Sequence, residues 1–189
     1  YPGAPVTALF GTWCSGATPT LCLVPEGVAP EQVAAFLGAA PVAGASATHG
    51  RLTVRVLPFL PQNDYDLLLW ACDVNVVRGE DSWVRAQWAG RPFVWHIYPQ
   101  DDNLHHKKLR AFLAVYAQQA PALAAYMLGW NGAQPLHDHA AAWNALESVL
   151  PEIAAQTDAW RESVLAQGDL VTQLLDFVRD LRLAQENSV

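Results

Sequence analysis

The sequence predicts an α/β fold, with a parallel sheet and flanking helices over residues 1–100 and a helical region over 101–189. Short apolar runs of strand type alternate with helix-length segments through the first half, and strand signals stop after Asn103. A content of 52% hydrophobic and only 15% charged residues suits one well-buried domain. Strands separated by helices of roughly ten residues cannot pair as hairpins, so right-handed crossovers into a parallel sheet are the natural solution.

The elements follow in order. A short helix is expected between Pro5 and Trp13, broken by Gly16 to Pro19. Leu21 to Val24 reads as a buried strand, stopped at Pro25-Glu26-Gly27. Pro30, whose fixed φ suits a first helical position, opens a helix that stops near Gly38. Ala39 to Gly50 is rich in Ala, Gly and Ser and reads as a loop. Leu52 to Leu57 places β-branched residues in alternation and is a strand, ended by Pro58-Phe59-Leu60-Pro61.

Asp64 is suited to cap the next helix, whose apolar face is Leu67, Leu68, Trp70 and Ala71. Val74, Val76 and Val77 begin another strand, Asp81 or Ser82 starts a helix, and Pro92 to Ile97 is again a strand. Beyond Asn103, apolar residues fall at helical spacing, and Pro121, Gly129 to Gly132 with Pro135, Pro151 and Gly168 divide the chain into about four helices.

Composition excludes some functions. A net charge of -7 and a pI near 5.2 leave no basic stripe for a phosphate backbone, so no nucleic-acid partner is expected. The longest apolar stretches, Leu67 to Cys72 and Ala120 to Leu128, fall far short of the roughly 20 residues that cross a bilayer, so no membrane partner is expected. Cys14, Cys22 and Cys72 show no paired spacing and read as buried thiols of a cytoplasmic protein. No G-x-S-x-G, P-loop or G-x-G-x-x-G sequence is present. Tyr1 is not an initiator methionine, and the chain is expected to begin inside a longer protein.

In an open parallel sheet, ligands bind beyond the carboxyl ends of the strands. The loop after Leu57 holds Phe59 and Gln62 between and beside two prolines, on a stiff segment that loses little freedom on binding. A ring for stacking and an amide for edge pairing suit a flat base. The next such loop reads Arg78-Gly79-Glu80-Asp81-Ser82-Trp83, and its parts suit a diphosphate delivered onto a helix start. The amide groups and the Ser82 hydroxyl would bind phosphate oxygens, with Arg78 compensating charge and Gly79 allowing close approach. Glu80 is suited to a sugar or ribose diol. Asp81 either orients Arg78 or caps the helix.

Other polar clusters are given plainer roles. His137-Asp138-His139 reads as a surface loop rather than a metal site, because neighbouring positions on a helix diverge. His105 to Lys108 reads as a solvated helix face, and His96, at a strand end, either approaches the ligand or is a satisfied buried histidine.

The run from Val56 to Gln62, then Tyr65-Asp66, Leu68 to Asp73, Arg78 to Ser82, Val84 to Gly90 and Pro92 to Gln100, resembles the EarP family of protein-arginine rhamnosyltransferases. The resemblance implies half of a GT-B glycosyltransferase, the C-terminal nucleotide-sugar-binding domain with a Rossmann-like sheet. It implies inverting transfer of L-rhamnose from dTDP-β-L-rhamnose to an arginine of translation elongation factor P, without cofactor or metal.

Carried over by position, Phe59 and Tyr65 would line a thymine pocket with Gln62 beside them, and Arg78, Glu80, Asp81 and Ser82 would form the donor motif. Glu80 would be the contributor to catalysis from this side, and Tyr1 would match an aromatic after the domain's first strand. The N-terminal domain of the family, with its acceptor surface and acidic residues, has no counterpart in these 189 residues, so the chain alone is expected to be inactive. The competing reading is a non-catalytic nucleotide-binding or helical interaction module.

Overall fold

The structure, a computed structural model, describes residues 3–186 as a mixed α/β fold. Tyr1 lies outside the described residues. Helix α1 (Val6–Ser15) leads into β1 (Thr20–Pro25), α2 (Pro30–Leu37), β2 (Ser46–His49), β3 (Leu52–Leu57), α3 (Gln62–Ala71), β4 (Asn75–Arg78), α4 (Asp81–Ala89) and β5 (Phe93–His96). A 3-10 turn (Asp101–Asn103) then opens α5 (Leu104–Tyr116), α6 (Pro121–Trp130), α7 (His139–Glu147), α8 (Leu150–Leu165) and α9 (Leu170–Glu186).

The expected single sheet is split in two. One sheet has the order β1-β3-β2 and the other pairs β4 with β5. β1 runs parallel to β3 and β4 parallel to β5, as the crossovers require. β2 is antiparallel to β3, and it lies inside the stretch read from sequence as a loop. The hairpin turns at Gly50, whose positive φ of 57° is unfavourable for other residues and whose position against the Cys14 carbonyl leaves no space for a β-carbon.

A second correction concerns β1. Of its expected buried run only Val24 is buried, and Leu21 is 57% exposed. The cause is position, since β1 pairs on one side only, with β3. The thiols are also less uniformly buried than expected: Cys14, Cys22 and Cys72 are half-buried and unpaired with one another. Cys22 is pushed up to about 12 by burial and then by Cys72, and burial raises Cys72 as well.

Two cores hold the fold. Phe10, Val33, Leu52, Val54 and Val56 form the smaller one, between α1, α2 and β3. The larger runs from Val77 and Phe93 to Val94 and Trp95 in the second sheet through Leu109, Leu113, Tyr116, Tyr126 and Met127 in the helices. Helix α1 joins them, because Leu9 packs into the larger core and its neighbour Phe10 into the smaller. Burial of large side chains such as these stabilises by roughly 1.5–3 kcal/mol each.

The helical half is tied to β5 by Asn131. Its Nδ2 donates to the carbonyls of Trp95 and Met127, both at 2.8 Å, and its Oδ1 accepts from the Ile97 amide at 3.0 Å. On α8, the Trp160 indole donates to Gln87 Oε1 of α4 at 3.0 Å, and Thr157 bonds the Tyr116 hydroxyl at 3.0 Å.

Among the described residues five helices follow Asn103, where about four were expected: the breaks at Pro121, Gly129 to Gly132 with Pro135, Pro151 and Gly168 each separate two helices, Pro151 by standing in the first turn of α8. The last, α9, is different from the rest. Leu170, Val171, Leu174, Leu175, Phe177, Val178 and Leu181 share one side of it, and all are between 39% and 77% exposed. Among the described residues no helix is long and apolar enough to cross a membrane.

Candidate functional site

The two loops singled out in the sequence meet. Pro61 precedes the first turn of α3, so Gln62 is its first residue, and Asp64 falls within the first turn instead of at the cap. Gln62 Nε2 donates to Asp81 Oδ2 at 3.2 Å, joining the start of α3 to the start of α4. Phe59, on the same loop as Gln62, is 87% exposed and therefore accessible to a ligand. Tyr65 is half-buried and packs against the larger core. Neither the small cavity of about 140 Å³ beside His96, Trp130 and Asn131 nor the groove between α5 and α6 is lined by Phe59, Gln62 or Ser82, of which the first two are exposed and the last half-buried.

The turn between β4 and α4 is held from below. Arg78 ends β4 opposite His96 of β5, and Gly79 adopts φ of 71°. The Trp95 indole donates to the Gly79 carbonyl at 2.7 Å. Trp83, in the first turn of α4, stacks on Trp95 with ring centres 4.4 Å apart and planes 14° from parallel. Such a pair is worth about 0.5–1.5 kcal/mol beyond burial and fixes where the helix begins.

Glu80 holds the cap position of α4 and gives no side-chain cap; its carbonyl takes the Val84 amide at 3.0 Å. Helix geometry leaves the amides of Asp81, Ser82 and Trp83 without an intrahelical acceptor, and they carry the positive end of the helix dipole. Glu80 and Asp81 are exposed, and Ser82 is half-buried. This is a concentration of donors suited to an anion, with Arg78 one turn away in sequence.

The expected cap role of Asp81 is corrected. Its carboxylate accepts from Gln62 and, at 2.9 Å, from Arg85 Nε. Arg85 Nη1 in turn donates to both oxygens of Asp66, at 2.9 and 2.8 Å. Hydrogen bonds donated to Asp66 and then to Asp81 hold the Arg85 guanidinium above the usual arginine range. Asp66 and Arg85 were missed from sequence; only the four-residue spacing of Asp81 and Arg85 was a legible signal.

The histidines also differ from expectation. Of the expected solvated face, Lys107 and Lys108 are exposed, whereas His105 and His106 are half-buried: His105 Nδ1 meets the backbone of Gln100 at 3.1 Å, and His106 Nε2 the Asn131 carbonyl at 2.9 Å. Asp138 caps α7 by accepting the Ala141 amide at 2.9 Å. His139 turns inward, with Nε2 3.1 Å from the Tyr126 hydroxyl, so only part of that segment is a surface loop. His96 is buried, edge-on to Trp130.

A family model described as Elongation-Factor P (EF-P) rhamnosyltransferase EarP matches residues 1–179. The chain belongs to the EarP family. Among EarP relatives, the protein-arginine rhamnosyltransferase of Pseudomonas aeruginosa is 46% identical over 168 residues, covering 86% of this chain and 44% of that protein. The protein-arginine rhamnosyltransferase of Pseudomonas putida is 42% identical over 193 residues, covering 95% of this chain and 51% of that protein.

A solved structure described as "Structural basis for EarP-mediated arginine glycosylation of translation elongation factor EF-P" superposes with a TM-score of 0.81 at 38% identity, covering 95% of this chain and 58% of that one. This chain therefore spans about half the length of the EarP relatives it matches.

Proposed function

We propose that this chain is the nucleotide-sugar-binding half of a GT-B glycosyltransferase with a Rossmann-like sheet. In this reading the complete enzyme acts in the cytoplasm and transfers L-rhamnose from dTDP-β-L-rhamnose to an arginine of translation elongation factor P. The observation that carries it is the Gln62–Asp81 contact, which brings the loop of the exposed Phe59 to the N-terminus of α4. Family membership supports the same reaction class.

In this reading the thymine stacks on Phe59 and pairs with Gln62, while Arg78, Ser82 and the α4 amides receive the diphosphate. Tyr65 supports the base from the core side. A guanidinium nitrogen of the acceptor attacks the anomeric carbon in line. The C–N bond forms as the C–O bond to the diphosphate breaks, with inversion, and a guanidinium proton passes to a carboxylate. Arg78 and the helix start stabilise the departing phosphate charge, so the step takes no metal ion or cofactor. Glu80, beside the phosphate site, orients the sugar or the incoming arginine. The other half of the enzyme supplies most of the acceptor surface.

Titration calorimetry with dTDP and dTDP-rhamnose tests the site. Binding by this chain, lost on Arg78→Ala, is expected. In the complete enzyme, Glu80→Ala should abolish transfer while donor binding persists. A folded chain that binds neither nucleotide would sink the reading. A second reading, a non-catalytic nucleotide-binding or helical interaction module, draws on the exposed apolar side of α9. Turnover on adding the separate N-terminal half of a relative favours the enzyme.

A further inference from the structure

We propose that Asp66, Arg85 and Asp81 are positioning residues that fix which end of the Gln62 amide faces the base, and so make the site selective for bases that present an N–H at position 3. The inference rests on the donor-site reading above.

A carboxylate can only accept hydrogen bonds, so the end of Gln62 that lies 3.2 Å from Asp81 must be its NH2 group. The amide oxygen is thereby the end left for a ligand. An oxygen accepts from the N3–H of thymine or uracil, whereas cytosine offers an unprotonated N3 and the two acceptors repel. An amide able to turn over would serve either base. Orientation of Gln62 is therefore equivalent to base selectivity.

Asp81 is itself exposed, and an exposed carboxylate would not hold a fixed position alone. Arg85 anchors it. The guanidinium is largely covered, chelates Asp66 on α3 through Nη1 and reaches Asp81 on its own helix through Nε. This takes a rigid planar fork with donors on two edges, which lysine lacks. The chain of contacts from Asp66 through Arg85 and Asp81 to Gln62 begins and ends on α3, so it is closed by one helix. Moving any member moves the amide.

The test is the ratio of dCDP to dTDP dissociation constants, measured calorimetrically on this chain and its variants, each first shown by circular dichroism to be folded. The unchanged chain should favour dTDP by about tenfold, the size of one mispaired hydrogen bond. Asp81→Asn offers Gln62 either a donor or an acceptor, and the ratio should fall to within about threefold of unity. Arg85→Lys, which retains the charge, should narrow the ratio as well.

A purely structural role would weaken both nucleotides together and leave their ratio in place, and that result overturns the proposal. Equal binding of both by the unchanged chain also overturns it, with the donor site intact. Failure of the unchanged chain to bind either nucleotide removes the donor-site reading itself, and the proposal with it.

Discussion

The Trp95 indole nitrogen lies 2.7 Å from the Gly79 carbonyl, so a strand of the second sheet holds the turn in which the proposed phosphate site begins. The same ring carries Trp83 on its face, and one side chain thus sets both the bend at Gly79 and the first turn of α4. Trp95→Phe keeps part of the stacking and leaves the carbonyl without this donor. A loss of about 1–2 kcal/mol is expected in urea unfolding, together with weaker dTDP binding. An unchanged affinity in a destabilised variant would show that the turn needs no such support.

The Asn131 side chain makes three hydrogen bonds, two of which join the end of α6 to Trp95 and Ile97 at the end of β5 while the third closes α6 onto Met127. Asn131→Leu approximates its volume and removes all three, leaving peptide groups of Trp95 and Ile97 without their partners. About 2–3 kcal/mol of destabilisation is expected, read as a lower urea midpoint with an unchanged slope. A change below about 0.5 kcal/mol would mean that solvent replaces the amide.

His139 carries a pH dependence. Burial is the larger influence and lowers its pKa below the usual 6.5, while the nearby Asp138 charge acts in the opposite direction. Its ring nitrogens face the hydroxyls of Tyr126 and Thr12, and burial keeps Tyr126 protonated well above its usual range. The folded state therefore takes up the proton later than the unfolded chain as pH falls. Its contribution is full above pH 6.5 and declines as pH drops from there through the lower folded value. His139→Gln should flatten that decline in unfolding experiments between about pH 7 and 5; an identical slope would exclude His139 as its source.

The exposed side of α9 contributes little to the stability of the isolated chain. Leu175→Glu is expected to change unfolding by less than about 0.5 kcal/mol, because the side chain is 67% exposed. A larger loss would require a packing partner for α9 within the chain.

Much of the first hundred residues was legible because its signals are local. Pro30 and Gly38 mark both ends of α2, and the alternation of Leu52 to Leu57 identifies β3. Strand β2 escaped because Ser46-Ala47-Thr48-His49 lacks apolar alternation and owes its place to pairing with β3. The exposure of Leu21 was equally unreadable, since an edge strand and a central one have the same composition here. At the site, Gln62 and Asp81 were each recognisable, but their contact spans 19 residues of sequence. The clamp on Asp66 and the bond of His106 to the Asn131 carbonyl arise the same way, from partners that folding brings together.

The Asn131 side chain also bears on how molecules of this protein meet one another. By taking the Trp95 carbonyl and the Ile97 amide, it covers backbone groups that β5 would otherwise present to a strand from a neighbouring molecule. A single amide thus does the work of an edge guard, and the apolar Phe93 to Ile97 segment stays out of reach of the self-templated pairing that leads to aggregates.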